Sequence, residues 1–352
     1  MLSASLLLSG LPAAGQAATY AYVSLAGEKK IAIYRVDEKT GALTRTGEVA
    51  VKGAPGSLTT DAAHRHLYVA VREAMTLASF RIDPATGGLT PISTVSVDAN
   101  PSFVGLDRTE QYLLSAYYLP GKVMVHAVGK DGTLDPTPRV DRTTAKNAHC
   151  AIPDPSNRFV FVPHVGPNAV FQFLFDPATG QLTPNAAPTV SGPEGAGPRH
   201  LRFHPNGKWV YTSNESGSSV SLYAFDPERG TLALTQTLST LPPGFTGENT
   251  TAEVKLHPSG KFLYVSNRGH DSLAAFAIDA ATGRLTAHGQ VPTEHTPRSF
   301  DFDPTGRYLY AAGEGGTRVA SYRIDPATGA LARLETYEIG KTPFWILVVP
   351  VP

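Results

Sequence analysis

From Gly197 to Gly230 the chain reads GPRHLRFHPNGKWVYTSNESGSSVSLYAFDPERG, short apolar runs parted by Gly, Pro, Asn and Asp. Leu201 to Phe203, the run ending at Ser213-Asn214, and Val220 to Phe225 are separated by a His-Pro-Asn-Gly turn and a polar hairpin. Runs this short, punctuated this way, predict antiparallel strands joined by hairpins. A fourth strand is predicted from Thr231 to Leu238. The same grammar returns in HPSGKFLYVSNRGHDSLAAFAIDAATG (His257 to Gly283) and DPTGRYLYAAGEGGTRVASYRIDPATG (Asp303 to Gly329), so the chain is a repeat protein.

An Asp-x-x-x-Gly turn marks each unit: Asp37 to Gly41, Asp83 to Gly87, a degenerate Asp131-Gly132, Asp176 to Gly180, Asp226 to Gly230, Asp279 to Gly283 and Asp325 to Gly329, seven in all. Four strands in a repeat of about 45 to 53 residues match a β-propeller blade. Trp-Asp and kelch Gly-Gly signatures are missing. Thr19 to Val23 aligns with the second strand of a unit and Thr342 to Val349 with the first, so the two ends are expected to complete one blade. Sharing a blade closes the ring and removes exposed sheet edges. The prediction is an all-β, seven-bladed propeller of four antiparallel strands per blade, a single domain over residues 19–352.

Composition narrows the partners. Thirty Lys and Arg balance thirty Asp and Glu, which gives no electrostatic reason to expect nucleic acid. No apolar run is long enough to span a bilayer, so no membrane insertion is expected. Residues 2–17, LSASLLLSGLPAAGQA, read as the apolar core and cleavage region of an export signal, although no Lys or Arg precedes Lys29. Residues 1–18 are thus expected to be a signal peptide or a disordered apolar tail. A functional signal would make the protein periplasmic or secreted; otherwise it is cytoplasmic. The single cysteine, Cys150, excludes an internal disulfide.

In an up-and-down blade the innermost strand lines the channel, and its start shares a face with the end of the second strand. Aligned on the HP or DP turn, the first-strand position carries Gly56, Ser102, His149, Arg199, Ala252, Arg298 and Phe344. One residue on come Ser57, Phe103, Cys150, His200, Glu253, Ser299 and Trp345, and the second strands end at Ala26, Arg72, Tyr118, Val165, Glu215, Arg268 and Glu314. Charges converging on one concave mouth are costly to desolvate unless they pair with one another or meet a ligand. Ion pairs that lock neighbouring blades are the bland alternative. His64, His66, His204 and His257 fall in turns of the opposite face and are expected to be solvated; His164 and His270 lie near the mouth without a role. Cys150 is expected to be a packed residue rather than a nucleophile.

An arginine-rich mouth repels cations, so no metal and no cofactor are expected. Arginines donate to carboxylate, phosphate or a developing oxyanion, and a histidine or glutamate accepts a proton. That set suits addition of water to a carbonyl, or the opening and closing of a lactone.

GAGPRHLRFHPNGKWVYTSNESGSSV, HPSGKFLYVSNRGHDSLAAF and the closing TPFWILVV resemble the seven-bladed propeller lactonases, which include bacterial propeller-type 6-phosphogluconolactonase and the fungal carboxy-cis,cis-muconate lactonizing enzyme. The likeness runs from about Thr19 to Val349. It implies His149 in NAHCAIPDP, Arg199 in GPRH, Glu215 in SNES and Arg268 in SNRG as the active site. It further implies hydrolysis of a sugar lactone, 6-phosphogluconolactone or gluconolactone. His149 or Glu215 would be the base, with Arg199 and Arg268 on the oxyanion. His200, Arg298, Glu253 and Arg72 would be substrate contacts. The alternatives are a muconate-type cycloisomerase and a non-catalytic binding propeller. A monomer or weak homodimer acting on a small-molecule sugar lactone is expected.

Overall fold

The structure, a computed structural model, describes residues 17–352, so the export signal read over residues 2–17 lies, apart from Ala17, outside the described residues. The described residues form seven four-stranded antiparallel sheets set around a ring, as the repeat predicts. Blade 1 is built from both ends of the chain in the order Pro343–Val351, Ala18–Leu25, Lys30–Val36, Leu43–Ala50. Tyr20 pairs with Val349 and Tyr22 with Leu347, which closes the ring.

Blade 5 shows how sequence sets depth. Its strands run Pro198–Phe203, Trp209–Asn214, Ser219–Asp226 and Thr231–Ser239, from channel to rim. The second strand is buried at every position, because blades press on both of its faces, whereas the rim strand alternates. Trp209 and Tyr211 pack against Val254, Leu263 and Val265 of blade 6, and interfaces of this kind are the core.

The Asp-x-x-x-Gly turns have a second duty. Asp279 Oδ1 accepts the backbone N–H groups of Ala281 and Thr282, and Gly283 follows with φ of 71°. Trp209 of the preceding blade lies over that glycine, where a Cβ would come within 2.3 Å of its ring, and Tyr211 donates its hydroxyl to the Gly283 carbonyl at 2.8 Å. Tyr22 to Gly87, Tyr264 to Gly329 and Tyr310 to Gly41 repeat the bond, so four of the seven turns are clasped by a tyrosine of the neighbouring blade. Gly283→Ala is therefore expected to lose about 2–4 kcal/mol, from left-handed strain and overpacking together. A denaturant midpoint equal to wild type would show the clasp to be dispensable.

The histidines of the opposite face correct the expectation of solvated turns. His204 Nε2 bonds the Gly260 carbonyl at 3.0 Å, and the buried His257 Nε2 bonds that of Gly306 at 2.7 Å. Each reaches the next blade's turn and so acts as a clasp.

Candidate active site

Five inner strands open on a proline: Pro55, Pro101, Pro198, Pro297 and Pro343. Proline has no N–H for the ladder, and a register skip follows it. Pro198 pairs with Asn214, but the next pair is His200 with Ser213, so Arg199 is bulged out. Ser102, Arg298 and Phe344 are skipped in the same way. A bulge re-aims its side chain, and here it turns Ser102 and Arg298 into the wall of the channel mouth. His149 arrives differently, on an irregular stretch before the two-residue strand Ile152–Pro153, anchored by its N–H to the Pro163 carbonyl at 3.1 Å.

The residues after the second strands join them. Arg72, Glu215 and Glu314 are fixed by backbone bonds to Ala54, Gly197 and Thr296 at 2.8, 2.7 and 3.0 Å. The result is a cavity of about 300 Å³ lined by Arg72, Ser102, Tyr118, His149, Glu215, Arg268 and Arg298, with Asn100 and Leu119 completing the wall. Three of the four motif residues thus meet here.

Arg199 does not form part of that wall. It is 1% exposed, and the bulge tucks it against Glu215, its Nε 2.9 Å from Oε2 although the N–H is not aimed for a hydrogen bond. Arg268 Nη2 lies 3.3 Å from the other oxygen of Glu215 and donates to the Thr251 carbonyl at 3.1 Å. Glu215 is therefore the anion that holds two guanidiniums apart. Arg298 bonds Glu314 at 3.3 Å, and the guanidinium carbons of Arg298 and Arg72 lie 4.2 and 4.6 Å from the centre of the Phe344 ring.

His200 and Glu253, read from sequence as substrate contacts, are also outside the wall. Both are 0% exposed, and His200 Nδ1 donates to Glu253 Oε1 at 3.0 Å, one layer deeper in the channel. Asn100 and Leu119 were missed because they lie between the aligned strands; the only signal was their adjacency to Pro101 and Tyr118. His164 bonds the Val162 carbonyl and Thr144, and His270 bonds Ser272, so both are satisfied locally. Cys150 is buried against the Arg199 carbonyl, and burial pushes its thiol up to about 12, which leaves it inert, as expected of a packed residue.

Four arginines, Arg72, Arg199, Arg268 and Arg298, face two glutamates, Glu215 and Glu314, and this surplus sets the protonation states. Burial, then Arg199, His200, Arg298 and Arg268, push His149 well below its ordinary value, so it is neutral at pH 7. Its Nδ1 is buried without a partner among the described residues, which leaves Nε2 as the nitrogen that meets the cavity. Burial alone would raise Glu215, but Arg199, Arg268 and Arg298 outweigh it and keep the carboxylate ionised. Burial, with Arg298 and Arg268, brings Arg199 down to about 9, still protonated at neutral pH. Nε of Arg72, Arg268 and Arg298 are buried donors without partners among the described residues. Such a cavity offers a neutral base and spare cationic donors to a small ligand that develops negative charge. Among the described residues no group of three or more His, Cys, Asp or Glu is placed to hold a metal ion, and no helix is long and apolar enough to cross a membrane.

Fold and site together describe a seven-bladed propeller whose channel mouth gathers a buried histidine, a glutamate and three arginines around one cavity. The chain belongs to the seven-bladed β-propeller lactonase family, whose model matches residues 16–348, and is a carboxylic-ester hydrolase of the lactone-opening kind. It is 34% identical over 330 residues to a 6-phosphogluconolactonase of Pectobacterium carotovorum subsp. carotovorum, covering 93% of this chain and 84% of that one. A 6-phosphogluconolactonase of Serratia proteamaculans is 33% identical over 240 residues, 68% of this chain and 72% of that one. Among solved structures, the periplasmic gluconolactonase of Pseudomonas aeruginosa superposes with a TM-score of 0.89 at 28% identity, over 95% of this chain and 100% of that one.

Proposed function

We propose that this protein hydrolyses a sugar lactone of the 6-phosphogluconolactone or gluconolactone type, with His149 as the base. The observation that carries the reading is a buried histidine presenting Nε2 to a cavity also lined by the guanidiniums of Arg72, Arg268 and Arg298, with Arg268 beside Glu215 and Arg298 beside Glu314. Glu215 is a poor second candidate for the base, since it is ionised but occupied by two arginines. Water adds to the lactone carbonyl carbon while His149 Nε2 takes its proton. Arg268 and Arg298, which line the cavity, donate to the oxyanion. Arg199 contributes through Glu215 and through its buried charge. The ring C–O bond then breaks, its oxygen receives the proton from the imidazolium, and the acid product ionises to a carboxylate, releasing one proton to solvent.

The surplus of arginine suits an anionic product and tolerates a phosphate on the substrate. Sequence relatives named 6-phosphogluconolactonase support the phosphorylated lactone. A periplasmic gluconolactonase as structural relative, with the export-signal pattern of residues 2–17, supports the plain one and a periplasmic location. Purified protein assayed on both lactones and on a muconolactone, with and without chelator, tests the proposal. Acceleration of at least one sugar lactone, undiminished by chelator, is expected, with no turnover of the muconolactone. Sugar-lactone rates equal to the spontaneous ones would end this reading.

A further inference from the structure

We infer that His200 and Glu253 are positioning residues that hold the ring of His149 in register from beneath the cavity. The inference rests on the reading of His149 as the base. A histidine base is ordinarily oriented by a hydrogen bond from its far nitrogen. His149 has none among the described residues, because its Nδ1 is buried without a partner. Its ring is instead wedged edge-to-face between Tyr118 at 5.6 Å and His200 at 4.7 Å. The orienting hydrogen bond is found one ring further on, where His200 Nδ1 donates to Glu253 Oε1 at 3.0 Å.

That oxygen is fixed in turn. It accepts Arg202 Nη2 at 3.0 Å and the Val254 N–H at 3.1 Å, so three donors converge on one carboxylate oxygen. Phe103 and Trp345 close on the other edges of His200 at 6.1 and 5.9 Å. Elsewhere this layer of the channel is filled by residues such as Ser57, Cys150 and Ser299, each 0% exposed, which shows that packing alone needs neither a carboxylate nor an imidazole. A fully buried carboxylate and histidine are expensive to desolvate, and here they are spent on the two positions that lead to the base. Burial keeps His200 neutral, and Arg202 carries the charge that balances Glu253. Loss of the clamp frees the His200 ring to turn, and the base above it loses its wall.

The test uses Glu253→Gln, whose amide oxygen can still accept from His200, and Glu253→Leu, which cannot. For gluconolactone, kcat of Glu253→Leu is expected to fall on the order of 10–100-fold, as for a misplaced catalytic group, with KM within about twofold. Glu253→Gln is expected to stay within about threefold of wild type. A folded Glu253→Leu with wild-type kcat overturns the inference, as does a loss carried by KM or a Glu253→Gln as impaired as Glu253→Leu. Histidine ¹⁵N spectra of the wild-type protein decide the matter if Glu253→Leu does not fold. His200 as a single neutral Nδ1–H tautomer, with exchange-protected N–H, is expected, and an Nε2–H tautomer or an averaged ring would overturn it. Full activity in His149→Gln with a damaged Glu253→Leu would instead reject His149 as the base, and the relay with it.

Discussion

Replacing His149 by Gln is expected to lower kcat by about 10²–10³-fold on either sugar lactone, within the range for loss of a positioned general base. The amide keeps much of the side chain's volume in a site that is 2% exposed, so stability is expected to change less than activity. The pH dependence carries the sharper signature. Burial, then the surrounding positive charges, disfavour the imidazolium, so the folded pKa of His149 lies well below the ordinary 6.5. Activity needs the neutral ring and is therefore fully present above the folded pKa and lost as pH falls through it. The acid limb of kcat/KM is expected well below pH 6.5 and absent from what remains in His149→Gln. Arg268→Gln removes a nearby positive charge, raises the pKa of His149 and moves the limb to higher pH. A limb near 6.5 that ignores Arg268→Gln would assign the titration to another group. The shifted pKa makes His149 a weak base but its conjugate acid a strong one, which suits delivery of the proton to the departing ring oxygen.

Much of this arrangement was legible in the sequence, for a physical reason. A repeat whose turns are fixed by Asp and a left-handed Gly keeps register from blade to blade. Aligning units therefore placed Arg72, Tyr118, His149, Glu215, Arg268 and Arg298 at one mouth without coordinates. Depth was not legible. Arg199 and His200 are neighbours, and regular alternation would have told their levels apart, but the bulge after Pro198 breaks the alternation at that point. Arg199 was accordingly read as an oxyanion donor and His200 as a substrate contact, where the structure puts one behind Glu215 and the other beneath His149. The turn histidines His204 and His257 were misread because their bonds run to turns about fifty residues away, a contact no local pattern announces.

Arg199 offers the second large effect, one in which stability and activity are expected to fall together. Truncation to Ala empties a buried volume and leaves Glu215, itself 18% exposed at the side chain, with Arg268 as its remaining close partner. Breaking a buried pair by removing one member typically destabilises by about 3–5 kcal/mol, and that loss is expected in denaturant unfolding of Arg199→Ala. The catalytic loss is expected to be about 10²-fold, because Glu215, no longer held from behind, is free to draw Arg268 away from the oxyanion. Arg199→Met with Glu215→Gln separates the two contributions. If Arg199 works through Glu215, the double variant is expected to recover part of the stability lost in Arg199→Met alone, by about 1–3 kcal/mol of coupling, while kcat stays low. Additive stabilities would mean that the pair is independent. A wild-type kcat in Arg199→Met would leave Arg268 and Arg298 to position themselves, and the buried arginine would be structural.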